Sequence, residues 1–137
     1  MKNKIIFFSI DRLGDFLIRS NVINKISKNY KFTEIVCSEK NFKLIKTQRH
    51  FDKINLFNTN FNFANKFTYI LKFFLSKYDS VIVFDGKGIS NLLLFFMRAK
   101  FKFTFIYKKK GSINKIIFLI KKFILGKFNI RFIVLFS

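Results

Sequence analysis

The sequence predicts an α/β domain built on a doubly wound, mostly parallel, Rossmann-like sheet. Short strand-like runs alternate with longer segments of helical spacing from one end of the chain to the other. Several of the short runs are continuously apolar, as expected of strands buried on both faces. Two of them are followed at once by turns rich in Gly and Asp, Asp11-Arg12-Leu13-Gly14 and Asp85-Gly86-Lys87-Gly88.

Taken in order, Ile5–Ile10 is the first strand, interrupted only by Ser9. A helix is expected from Asp15 to about Lys28, with Phe16, Leu17, Val22, Ile23 and Ile26 at helical spacing and lysines near its end, where they complement the helix dipole. Phe32–Cys37 reads as a second strand, Asn41–Lys46 as a short helix and Lys53–Phe57 as an edge strand. Phe61–Lys77 reads as a helix with Phe63, Phe67, Ile70, Leu71, Phe74 and Leu75 on one face. Ser80–Phe84 is uncharged and β-branched, the clearest strand of the chain. A helix over Ile89–Ala99, a strand over Phe101–Tyr107, a charged loop at Lys108–Gly111, an amphipathic helix over Ile113–Leu125 and a strand over Ile130–Phe136 complete the pattern. Strand-helix alternation with right-handed crossovers distributes the helices over both faces of the sheet.

At 137 residues the chain suits one domain, expected to span 1–137. Half of the residues are hydrophobic, so a real core can form and general disorder is excluded. A single cysteine, Cys37, rules out an intrachain disulfide and reads as a buried small hydrophobe. The apolar stretch at the start is shorter than a signal-peptide core of roughly 7–15 residues. No run approaches the about 20 residues of a spanning helix.

Lys and Arg number 27 against 7 acids, a formal charge of +20. Phe, Lys, Ile and Asn, all encoded by A/T-rich codons, make up 78 residues, so part of that charge reflects composition. Whatever its origin, the charge favours anionic partners: phosphorylated substrates, anionic lipid or nucleic acid. The Phe101-Lys102-Phe103 interleaving matches no RNA-binding aromatic signature, and nucleic acid is not the expected partner. The lysine-faced segment Ile113–Leu125 tips the reading toward contact with a membrane surface.

In open α/β sheets, ligands bind beyond the carboxyl ends of the strands, at the switch point of the topology. Asp11, Arg12, Gly14 and Asp15 follow the first strand there, and Asp85, Gly86 and Lys87 follow the fourth. Three of the seven acids therefore fall in two loops where a general base would be sought. Asp15 equally suits the first turn of a helix, and Asp85-Gly86 suits a plain turn. Gly86-Lys87-Gly88 begins like a dinucleotide fingerprint, but Asn91 stands where the third glycine belongs, and no P-loop is present. One histidine (His50, read as an exposed loop residue) and one cysteine make no metal site, and none is expected.

The stretch KIIFFSIDRLGDFLIRSNVINKISKNY resembles the opening of glycosyltransferase family 9, the heptosyltransferases of lipopolysaccharide core synthesis. The stretch KYDSVIVFDGKGISNLLLFFMRAK is similar to that family's second N-terminal signature, at a similar spacing. Val83 departs from the family's usual Asp, and Asp85 from its usual Gln. The resemblance implies the N-terminal, acceptor-side half of a two-domain GT-B enzyme. It assigns Asp15 as the base that deprotonates an acceptor hydroxyl, Gly14 as the point of close approach, and Asp11, Arg12, Asp85, Gly86 and Lys87 to the substrate-facing loops. It implies no cofactor, a nucleotide-sugar co-substrate such as ADP-heptose and a phosphorylated, lipid-linked saccharide acceptor. The setting implied is the cytoplasm, peripherally on the inner face of the cytoplasmic membrane. Family members carry a second domain for the donor, and the chain is expected to be truncated or split, with that C-terminal domain absent or supplied separately. The competing expectation is a non-catalytic basic Rossmann-like module that holds anionic lipid or nucleic acid.

Overall fold

A computed structural model describes residues 2–10, 12–58, 63–108 and 130–136. Lys2–Ser9 (β1), Tyr30–Cys37 (β2), Lys53–Leu56 (β3), Lys77–Val83 (β4), Arg98–Lys108 (β5) and Arg131–Phe136 (β6) form one six-stranded sheet in the order β3-β2-β1-β4-β5-β6. Every pairing in it is parallel. The helices are Leu13–Ser27 (α1), Glu39–Lys46 (α2), Phe63–Leu75 (α3) and Gly88–Phe96 (α4). Of the loop expected at Lys108–Gly111, Lys108 ends β5, and its other residues lie outside the described residues, as does the helix expected at Ile113–Leu125.

β1 lies at the middle of the sheet because its side chains are apolar on both faces. Successive residues point to opposite sides, so Ile5 and Phe7 join one cluster with Phe16 and Ile23 of α1, Ile35, Cys37 and Ile45 of α2. Ile6, Phe8 and Ile10 join the other, with Phe73 of α3 and Leu93 and Leu94 of α4. α1 and α2 therefore cover one face, α3 and α4 the other. Strands are added to one side of β1 up to β3 and to its other side from β4 onward, which makes the β1–β4 boundary the switch point. Phe8 meets Phe73 edge to face with ring centroids 5.7 Å apart, and each fully buried ring contributes about 2–3 kcal/mol.

Element order agrees with the sequence reading throughout the described residues, and β3 is an edge strand as expected. Several boundaries and faces differ. α1 begins at Leu13, β4 begins at Lys77, and α4 ends at Phe96 because Met97 is already extended. In α1, Phe16 and Ile23 are buried, whereas Leu17 and Val22 remain about half exposed. The expected inner face of α3 is wrong in large part. Phe67, Leu71, Phe74 and Leu75 are exposed, and Phe73 is the fully buried residue, with Tyr69 and Ile70 beside it. The segment is apolar nearly all round, so spacing alone does not pick a side. Polar anchors pick it instead: the Tyr69 hydroxyl donates to the Leu56 carbonyl, and Lys72 Nζ donates to Asn55 Oδ1 at 2.7 Å.

That anchor belongs to a buried polar network around Glu34 of β2, which is 1% exposed. Asn55 Nδ2 donates to Oε1 at 2.7 Å, and the Tyr78 hydroxyl donates to Oε2 at 3.1 Å. Lys4 Nζ lies 3.2 Å from Oε2 and Lys53 Nζ 3.6 Å from Oε1. Burial pushes the Glu34 carboxyl up, but the Asn55 hydrogen bond and the two ammonium groups outweigh it and hold it below the usual carboxylate range. The same surroundings, burial first and then the Glu34 charge, raise Tyr78.

Candidate functional site

The two Gly/Asp loops meet at the switch point. β1 and β4 run side by side up to the pair Phe8 and Val83, and Phe84 N donates to the Phe8 carbonyl at 3.0 Å. Beyond that point Asp85, 8% exposed, bridges the loops. Its Oδ2 accepts from Ile10 N at 3.0 Å and from the Ser90 hydroxyl at 2.7 Å, and its Oδ1 accepts from Lys87 N at 2.9 Å. Lys87 returns the connection, its Nζ donating to the Ile10 carbonyl at 2.7 Å. Gly86 supplies the sharp turn between them with φ of 61°, a left-handed conformation that glycine adopts at no steric cost. Asn91 holds the turn from inside α4, donating to the Gly86 carbonyl at 3.4 Å while its Oδ1 accepts from the Thr104 hydroxyl of β5 at 2.6 Å.

The chain beyond Ile10 leads into α1. Arg12 is its N-cap in extended conformation, with the Arg12 carbonyl accepting from Phe16 N at 3.2 Å. Arg12, Leu13 and Gly14 are exposed, and a Cβ on Gly14 would meet nothing within 4 Å, so open space borders the backbone there. Asp15 sits in the first helical turn, half exposed, where the helix dipole favours its charge. Arg19, one turn further, lies over the Phe84 ring at 6.0 Å. Asp11 lies outside the described residues.

Sequence-predicted residues Arg12, Gly14, Asp15, Asp85, Gly86 and Lys87 thus all follow the carboxyl ends of the neighbouring strands β1 and β4, with Asp85 and Lys87 tied to Ile10 at the end of β1. Their situations differ. Asp85 is a buried tie between β1, the turn and α4, with both oxygens already accepting. Arg12 is exposed and Asp15 is partly exposed. Lys87 uses one of its three donors on Ile10, and it and Arg12 are exposed cations at this edge of the sheet, a charge suited to an anionic group.

Ser90, Thr104 and the Glu34 network were not assigned to the site by sequence reasoning, and Asn91 was named only as the residue that breaks the glycine pattern. A lone acid inside the apolar run Phe32–Cys37 is the signal that could have found Glu34. His50 departs from the exposed loop position expected for it. It is half buried, its ring 4.1 Å from that of Phe51, and burial lowers its pKa. Cys37 is fully buried, and burial pushes its thiol up to about 12. Lys102 turns inward, donating from Nζ to the Phe95 carbonyl at 3.2 Å, and burial lowers it. Among the described residues no His/Cys/Asp/Glu group is arranged to hold a metal, and no helix is long and apolar enough to cross a membrane.

No protein-family model matches the sequence, and no curated protein matches it. Among solved structures, a glycosyl transferase family 9 protein from Veillonella parvula DSM 2008 matches with a TM-score of 0.69 and 13% identity. The match covers 95% of this chain and 35% of that one. The chain therefore has a glycosyltransferase-like, Rossmann-like fold and spans about a third of the length of that protein.

Proposed function

We propose that this chain is the acceptor-binding domain of a family 9-like glycosyltransferase. The observation that carries the reading is the meeting of the two motif-bearing loops at the switch point of a fold shared with a protein of that family. Asp15 is the base. It takes the proton of an acceptor hydroxyl as that oxygen attacks the anomeric carbon of the donor sugar, and the nucleoside diphosphate departs with the electrons of the broken bond. Displacement from the opposite side inverts the anomeric centre. Arg12 and Lys87 hold an anionic group of the acceptor, a phosphorylated lipid-linked saccharide, and Gly14 leaves room for it beside the backbone. Asp11 belongs to the same loop by its position in the sequence. Asp85 and Gly86 act by fixing the turn that carries Lys87.

The donor, a nucleotide sugar of the ADP-heptose type, is held by a second domain, on a continuation of this chain or on a separate one. Transfer needs donor and acceptor in one cleft, so the two domains act together. The test titrates ADP-heptose and other nucleotide sugars against the chain alone and against the chain with the second domain supplied. Transfer is expected only in the second case. Asp15→Asn is expected to lower turnover by about 10²–10⁴-fold, the usual worth of a positioned base, with an unchanged melting temperature. Undiminished turnover in that variant removes Asp15 as the base. No transfer with any donor leaves the non-catalytic basic module as the function.

A further inference from the structure

On the sheet face covered by α3 and α4, the two helices touch and share one core cluster. The inward side of α3 is complete with Tyr69, Ile70 and Phe73, and that of α4 with Ser90, Leu93 and Leu94. Outside this core a second apolar set faces solvent. Phe67 (57% exposed), Leu71 (47%), Phe74 (45%) and Leu75 (69%) share the outer side of α3, at spacings of four, three and one. Leu92 (45%) and Phe96 (46%) follow one turn apart on α4. Asn91 bonds the Thr104 hydroxyl and the Phe95 carbonyl accepts from Lys102, so one flank of α4 is turned to β5. Helical phase then places Phe96 on the opposite flank, toward α3, with Leu92 pointing outward between the flanks. Six large apolar side chains therefore form one patch, too concentrated to be scattered exposure.

The charge around the patch has one sign. Neither α3 nor α4 contains an acid. Lys77 and Arg98, which follow the ends of the two helices, are paired in register and both exposed. Asp79, the nearest acid in sequence, is occupied: it accepts from the backbone of Asn3 and Lys4 and lies 3.1 Å from Lys100 Nζ. A second copy of the chain on this face would bring two +20 bodies together, which their charge opposes. An anionic bilayer matches both properties, accepting the Phe and Leu side chains at the acyl boundary while its headgroups meet Lys77 and Arg98.

We propose that the α3–α4 face is a docking surface for an anionic lipid bilayer. The proposal is independent of sugar transfer, because it uses none of the residues given a part in it. The experiment sediments the protein with vesicles of phosphatidylcholine alone and of phosphatidylcholine mixed with phosphatidylglycerol. Binding is expected to the mixed vesicles and to weaken roughly tenfold or more in Leu71→Ser/Phe74→Ser, which removes apolar contact and leaves charge untouched. Leu17→Ser, on the opposite sheet face, is expected to bind as the parent does. A photoactivatable lipid applied to the unaltered protein is expected to cross-link α3 and α4, which keeps the test independent of variant folding. Equal binding to neutral vesicles, parental binding by the double variant, or cross-links confined to α1 and α2 would each overturn the proposal. So would light scattering that shows a parental dimer dispersed by the double variant, which would make the patch an interface between copies.

Discussion

Replacing Asp85 by alanine tests whether the two loops are held together by its buried carboxylate. The substitution deprives three donors of their acceptor: Ile10 N, the Ser90 hydroxyl and Lys87 N. Ile10 and Ser90 are buried and cannot turn to water, and each stranded donor costs about 1–3 kcal/mol. Lys87 is exposed, so its amide is rehydrated at little cost. The expected loss is about 2–6 kcal/mol, a large share of the about 5–15 kcal/mol that holds a domain of this kind folded. Asp85→Asn keeps one oxygen for Ile10 and Ser90 but turns an amide nitrogen toward Lys87 N, and should cost about 1–2 kcal/mol. Urea titration reads both, as lower midpoints with the same slope. An alanine variant within about 1 kcal/mol of the parent would refute the tie. Native stability combined with lost acceptor binding would instead make Asp85 a substrate ligand.

Other outcomes are expected on the same footing. Glu34 has a lowered pKa in the folded protein, so its contribution is fully present above the unfolded value of about 4.3 and is lost as pH falls through the folded value. Urea midpoints measured from neutral pH down through that window should fall less steeply in Glu34→Gln than in the parent, and parallel curves would show that the network carries no such linkage. The Cys37 thiol should resist alkylation in the native protein at neutral pH and react on unfolding; rapid native labelling followed by mass spectrometry would contradict its burial. Gly86→Ala should cost about 1–2 kcal/mol in the same urea titration, because alanine must adopt φ near 61° there.

What the sequence disclosed followed from how many physical signals agreed. Ser80–Phe84 is uncharged, β-branched and bounded by a turn, and a strand stands there with three more residues at its start. Both Gly/Asp loops follow strands, so a parallel sheet puts them on one edge, but that β1 and β4 are neighbours is seen only in the fold. The role of Asp85 was not legible, because its partners Ile10 and Ser90 are common residues whose meeting depends on tertiary register. The inner side of α3 was not legible either. With phenylalanine on both sides, the choice falls to Tyr69 and Lys72, which reach acceptors on β3 and the residues beside it. Glu34 was hidden for a related reason: its cations come from β1 and β3, and only the folded sheet collects them.

The place of β1 at the middle of the sheet bears on how the chain comes off the ribosome. One neighbour, β2, follows almost at once. The other, β4, must bring Asp85 to Ile10 across 75 residues. At a synthesis rate of about 5–20 residues per second, that partner arrives roughly 4–15 s after β1 has emerged. Meanwhile α1 can shield Ile5 and Phe7, but Ile6, Phe8 and Ile10 have nothing over them, and one edge of the strand stays open. A nascent chain halted short of Val83 is thus the most adhesive species this protein passes through, and the one a chaperone would be needed to hold.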